Sequence, residues 1–368
     1  MTEPLELDLS RKRQATLLYH YASIEYLRGL KTRIDALIAG VDFTLDEAHA
    51  QGRDDLVANS RWGTRDTAAN WSSHAYPALK DFQKSTAWHI ASRAKEIYGK
   101  TGAYQCGYML NEHSMRWATE EEEGDFKKIS EALLSYAYKI DDTTKRQAGW
   151  SDFALAVEWK ENRGQFPKLP RFRVRPDLVG ETDKLPPRTG VYVPQDDPFG
   201  TLQFAWTGDS EGALGEVVTL NAFGLQALRS VGAADMWLNE DKLAEFANLP
   251  ASRKLLETDT MIDFPVTPDM APYDVAGAAY TERPCKWYFV ELLHDEWDIE
   301  PIAASNVNID ARLRGLPGEP VPVAGFWSAP ALHGNDGRRC LKQGERFPDI
   351  AQTAYGAVIW YFDPAQQD

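Results

Sequence analysis

Seven prolines fall between residues 164 and 200, at Pro167, Pro170, Pro176, Pro186, Pro187, Pro194 and Pro198, and Gly164 opens the stretch. A proline ring fixes φ and removes an N–H, so this density stops helices and favours extended or turn structure. It divides the chain. The residues before it read as helical and those after it as mixed, which predicts two domains, 1–164 and 165–368. A length of 368 residues suits two domains with sizeable cores.

In the first part Ser10 can cap a helix running to about Ala39, with Gly40 as its stop. Leu17, Tyr21, Ile24, Leu27, Ile34 and Ile38 recur near the helical period. Thr44-Leu45-Asp46-Glu47 has the capping-box pattern, so a second helix is predicted to follow it. Further helices are predicted over 75–98, over 125–147 with Asp125 as cap, and over 151–163. Such helices form a bundle. In the second part Leu202–Trp206, Trp287–Leu293 and Ala357–Phe362 read as strands. Asn221–Val231 and a segment capped by Asn239 read as helices. Without strict βαβ spacing the fold class is α+β: a helical bundle, then a mixed domain with an aromatic-rich, mainly antiparallel sheet.

Pro187-Arg188-Thr189-Gly190-Val191-Tyr192 and Pro322-Val323-Ala324-Gly325-Phe326-Trp327 share a P-x-x-G-apolar-aromatic pattern. Each precedes an aromatic strand, Phe204-Ala205-Trp206 and Ile359-Trp360-Tyr361-Phe362. Two related hairpins in one sheet are the expectation.

Charge excludes several functions. There are 40 Lys+Arg and 55 Asp+Glu, a net of −15. Residues 165–368 hold 18 basic and 30 acidic side chains, so most of the acidity lies there. Phosphate binding needs a positive surface, which argues against a nucleic-acid partner. No window holds the roughly 18 apolar residues of a membrane span. The acidic start, Met1-Thr2-Glu3-Pro4-Leu5-Glu6, does not resemble a signal peptide. Cys106, Cys285 and Cys340 are far apart and make no C-x-x-C. A cytoplasmic protein with reduced thiols is expected.

Catalytic motifs are missing. No G-x-S-x-G, P-loop, G-x-G-x-x-G or H-E-x-x-H occurs, and the seven histidines are scattered. His294-Asp295-Glu296 with Asp298 is the nearest approach to a ligand cluster, since alternate residues of a strand share a face. An acidic loop at a strand end explains it more simply, and no metal or cofactor is expected. Glu120-Glu121-Glu122-Glu123 precedes a predicted helix, where negative charge favours the N-terminus. The same run offers a landing patch for a basic partner. Glu120, Glu121, Glu122, Glu123, Asp295, Glu296 and Asp298 are therefore the candidate partner-binding residues.

The C-terminal residues carry a resemblance. Gly325-Phe326-Trp327, then Arg338-Arg339-Cys340-Leu341-Lys342-Gln343-Gly344-Glu345-Arg346-Phe347-Pro348, then Tyr355-Gly356-Ala357-Val358-Ile359-Trp360, resemble the immunity proteins of bacterial polymorphic toxin systems, in the groups called immunity protein 71 and immunity protein 72. Pro187 to Trp206 is similar to the earlier half of the pattern. Cys340-Leu341, where an aromatic is expected, and the Gly334-Asn335-Asp336-Gly337 loop depart from it. The resemblance implies a protein that is not an enzyme and that binds and neutralises a cognate toxin; the acidic charge suits a basic toxin, and the N-terminus one that acts in the cytoplasm. Nucleases, ADP-ribosylating enzymes and deaminases are the toxin classes it brings in. It implies structural roles for Pro187, Gly190, Tyr192, Pro322, Gly325, Trp327, Arg338, Arg339, Gly344, Glu345, Pro348, Gly356 and Trp360. Two rivals stand beside it: a hydrolase using a carboxylate pair in an aromatic cleft, and an adaptor that loads a toxin without inhibiting it.

Overall fold

The computed structural model describes residues 6–58, 63–146, 149–233, 236–258, 261–298, 314–315, 317–321, 324–329, 338–348 and 360–362. The chain divides into two compact units, Met1–Ile299 and Glu300–Asp368.

The first unit opens with helices α1 (Leu9–Ala22), α2 (Ile24–Ala50), α3 (Arg53–Val57), α4 (Ala68–His74), α5 (Tyr76–Ser92), α6 (Ala103–Glu112), α7 (Glu120–Thr143) and α8 (Asp152–Asn162). The predicted helix from Ser10 to Ala39 is two helices. They break at Ser23, whose extended backbone ends α1 and whose hydroxyl accepts from Tyr26 N. α2 then runs straight through Gly40 and the Thr44–Glu47 pattern. Thr44 donates back to Gly40 O rather than capping anything. Leu27, Leu30, Ile34, Leu37, Ile38 and Val41 line the buried face of α2, which packs on α5 and α7. That apolar burial outweighs the cost of one exposed mid-helix glycine, about 1 kcal/mol.

Strand β1 (Leu169–Glu181) follows within the proline-rich stretch. Its prolines are tolerated because it is an edge strand, and the register slips between Pro170 and Arg171 and again between Arg175 and Val179. Then come β2 (Gly190–Pro194), β3 (Gln203–Ala205), β4 (Val217–Leu220), helices α9 (Ala222–Val231), α10 (Glu240–Ala247), α11 (Pro250–Leu256) and α12 (Ala271–Ala279), β5 (Tyr280–Arg283) and β6 (Lys286–Asp298). One antiparallel sheet has the order β1-β6-β2-β3, and β4 pairs β5 in a separate ladder. Alternation sets its faces. Val191, Val193, Phe204 and Val290 join Leu17, Leu18 and Tyr21 of α1 in one core. Tyr192, Ala205, Trp287 and Phe289 point the other way and pack with Leu214 and Val217. The change of secondary structure near residue 164 is therefore crossed by a continuous core, and the division between compact units falls at Ile299 instead.

The second unit holds β7 (Arg314–Gly315), β8 (Gly325–Ser328), β9 (Arg338–Leu341) and β10 (Trp360–Phe362), in the order β7-β10-β8-β9. The expectation that the two P-x-x-G units share a sheet is overturned, since residues 203–205 and 360–362 lie in different sheets. The physical reason is that each unit closes its own antiparallel ladder: β2 pairs β3, and β8 pairs β9. Pro322, Gly356 and Ala357–Ile359 lie outside the described residues.

Candidate functional site

Thr119 builds the acidic end of α7. Its hydroxyl accepts from Glu122 N while the Glu122 carboxylate accepts from Thr119 N at 2.8 Å, a full capping box. The predicted cap, Asp125, sits inside the helix. Arg53 of α3 donates to both oxygens of Glu122, at 2.6 and 3.3 Å. The guanidinium and the cap together hold the Glu122 carboxyl below its ordinary range. Glu120, Glu121 and Glu123 are exposed. The four glutamates thus split into one structural carboxylate and three that face solvent.

The other acidic candidates end β6, and two of them, Glu296 and Asp298, are paired. Glu296 accepts from Arg171 at 2.9 Å. Asp298 takes Lys12 Nζ at 2.7 Å and Arg171 Nε at 3.4 Å. Asp295 has φ of 62°, which turns it out of the alternation. Arg171, Arg173 and Arg175 alternate along β1 with Phe172 and Val174 and meet these carboxylates and Glu291 across the ladder. No group of His, Cys, Asp or Glu among the described residues has metal-binding geometry. His74 and His113 stack at 5.5 Å. Cys106 is buried and Cys285 half-buried, and burial pushes each thiol up to about 12.

Among the described residues behind the C-terminal resemblance, Trp327, Leu341, Phe347 and Trp360 gather into one small core. Trp327 and Trp360 are fully buried with Phe347, Leu341 and Val321. Trp327 meets the Phe347 ring edge-on at 4.8 Å. Gly344 has φ of 82°, a turn that disfavours other residues, and its N–H reaches Val321 O. Glu345 accepts from Lys342 N at 2.9 Å and closes the same turn. Arg338 lies over the Phe326 ring at 4.3 Å, and Arg339 and Pro348 stand on β9 and just past the turn. In the first unit Gly190 starts β2, Tyr192 is buried and donates to Arg188 O, and Pro187 adjoins that bond.

A cleft that sequence reasoning missed lies between the helices and the sheet. It encloses about 820 Å³, with Tyr98, Trp206, Lys100, Arg146, Glu211 and Glu282 among its lining residues. Gly215 lies in its wall, and Gly208 and Gly212 stand beside the lining residues Trp206 and Glu211. A Cβ on Gly208 would come within 2.4 Å of Glu96 O, and one on Gly215 within 2.4 Å of Arg146 O. On Gly212 it would meet Trp206 O at 2.1 Å. That glycine cluster was the available signal. Arg146 and Asp183 pair at 3.0 Å at its rim. Trp206 is buried, and its Nε1 donates to Asp209 at 2.9 Å. The carboxyls raised by burial are elsewhere: Asp141, at about 6, accepts from Thr101 N, and Asp152 accepts from Trp237 Nε1. Among the described residues no helix is long and apolar enough to cross a membrane. The chain matches no family model, no curated protein and no solved structure.

Proposed function

We propose that this chain is an immunity protein, which binds a cognate bacterial toxin domain in the cytoplasm and neutralises it. The observation that carries the reading is the C-terminal core. The residues of the resemblance (Trp327, Gly344, Glu345 and Trp360) hold a turn and fill an interior, as residues of a binding scaffold do, instead of meeting in a cleft. The net charge of −15 and the exposed Glu120, Glu121 and Glu123 support a basic partner, because complementary potentials raise association rates. A partner interface of the standard size, about 1,600 Å², is expected.

Co-expression with the product of the adjacent gene tests this. That product alone is expected to stop growth, and this chain to restore growth and co-purify with it. Binding without rescue identifies a loading adaptor. A harmless or unbound neighbour sinks the reading. The cleft, with Tyr98, Glu211 and Glu282 in its wall, is then the place to screen glycosides.

A further inference from the structure

The two four-stranded sheets repeat one pattern. Numbering the strands of each in chain order, both have the order first-fourth-second-third, all antiparallel. The registers coincide. Gly190 faces Ala205 and Val191 faces Phe204; Gly325 faces Leu341 and Phe326 faces Cys340. Phe289 faces Tyr192 as Phe362 faces Trp327. Gly180 faces Trp287 as Gly315 faces Trp360. Gly190 and Gly325 have φ of 152° and 148°. Trp287-Tyr288-Phe289 answers Trp360-Tyr361-Phe362, and the spacing from Gly180 to Gly190 equals that from Gly315 to Gly325. The counterpart of β10 is thus β6, and that of β3 is β9.

The copies differ in the connection from third to fourth strand. In the second it is residues 342–359; in the first it is 206–285, which holds β4, α9–α12 and β5. The helices enter and leave this connection at one point. Leu220 pairs Tyr280 across the β4–β5 ladder. Asn221 caps α9, and its Nδ2 donates to Ala278 O at 2.7 Å and Tyr280 O at 3.1 Å, tying the two ends. Between them Phe223, Leu243, Phe246, Leu256 and Val275 form a core, on one side of which Phe153 and Ala156 of α8 pack. Joined ends and a core drawn mainly from within the segment mark an insertion that the sheet pattern does not need.

Its surface is apolar and acidic. Leu238, Leu249, Leu255, Met270 and Tyr273 are exposed. Residues 221–279 carry nine acidic and four basic side chains. Asp241 and Glu245 lie one turn apart on the exposed side of α10, with Leu238 and Leu249 just beyond its two ends. Exposed apolar groups among like charges suit a protein of opposite charge that brings its own apolar contacts.

We infer that α9–α12 is the recognition module of this molecule, and that its occupant is a basic protein face carrying apolar side chains. In naming the toxin domain as that occupant, the inference rests on the immunity reading. The test uses the purified chain and the adjacent-gene product. One variant replaces residues 221–279 by Asn-Gly, which turns β4 and β5 into a two-residue hairpin. It is expected to melt cooperatively and to lose binding. The other is Asp241→Lys/Glu245→Lys, expected to keep the wild-type melt. Its association should be about tenfold slower at low salt, with the difference shrinking near ~0.5 M salt. Failure of the shortened chain to fold overturns the insertion. Wild-type binding by both variants overturns the recognition role and leaves the immunity reading standing. If the unaltered chain neither binds nor rescues, that reading falls and this inference with it.

Discussion

Glu158 is a heavily engaged carboxylate of the first unit. It accepts from Tyr21 Oη at 2.6 Å, from Asn162 Nδ2 at 2.6 Å and from Lys139 Nζ. Removing it strands an ammonium and a buried phenol, so Glu158→Leu is expected to cost about 3–5 kcal/mol, read from urea midpoints. Asp141 works in the opposite sense. Burial raises its carboxyl to about 6 although Thr101 N donates to it at 2.6 Å. The folded state holds that proton more tightly than the unfolded one, so this group's contribution falls as pH rises from about 4 to about 6. Asp141→Asn keeps an acceptor for Thr101. It should stabilise by about 1–2 kcal/mol near pH 7.5 and by nothing near pH 4. Equal effects at both pH values rule out ionisation as the cause.

At the scale of elements, the capping box of α7 is the clearest local device. Thr119→Ala is expected to cost about 1 kcal/mol, seen as a lower thermal midpoint. Gly208 packs a loop against the carbonyls of Lys95 and Glu96, so Gly208→Ala should cost about 1–3 kcal/mol in urea unfolding. Local chemistry of this kind was partly legible in the sequence. The acidic run did lie at a helix start, and Ser151 caps α8 as the predicted span suggested. α2 runs past Gly40 and the Thr44–Glu47 pattern because these are local signals, while the burial of one long apolar face decides the helix. β1 was hidden because prolines usually end strands, and only edge position and two register shifts admit them. The cleft was illegible because its walls come from segments as far apart as Tyr98, Arg146, Trp206 and Glu282.

At the scale of the molecule, the α+β class and the antiparallel, aromatic-rich sheets followed from composition and pattern. The pairing of the two P-x-x-G units did not, because a motif records its own hairpin and not the sheet that receives it. Trp287 and Trp360 hold the same place in their sheets and are fully buried. Trp287→Ala is expected to reduce amide protection in β1 and β2, and Trp360→Ala in β8, each by about 3–5 kcal/mol. Hydrogen exchange followed by peptide mass analysis distinguishes the two.

Leu220 and Tyr280 are paired neighbours, so the stretch of gene encoding α9–α12 begins and ends at one place in the folded product. Recombination that trades this stretch whole for another of any length leaves the strand pairings on either side as they were. Selection can then revise the helices quickly while the sheets drift slowly, and related genes should differ most between these two codons.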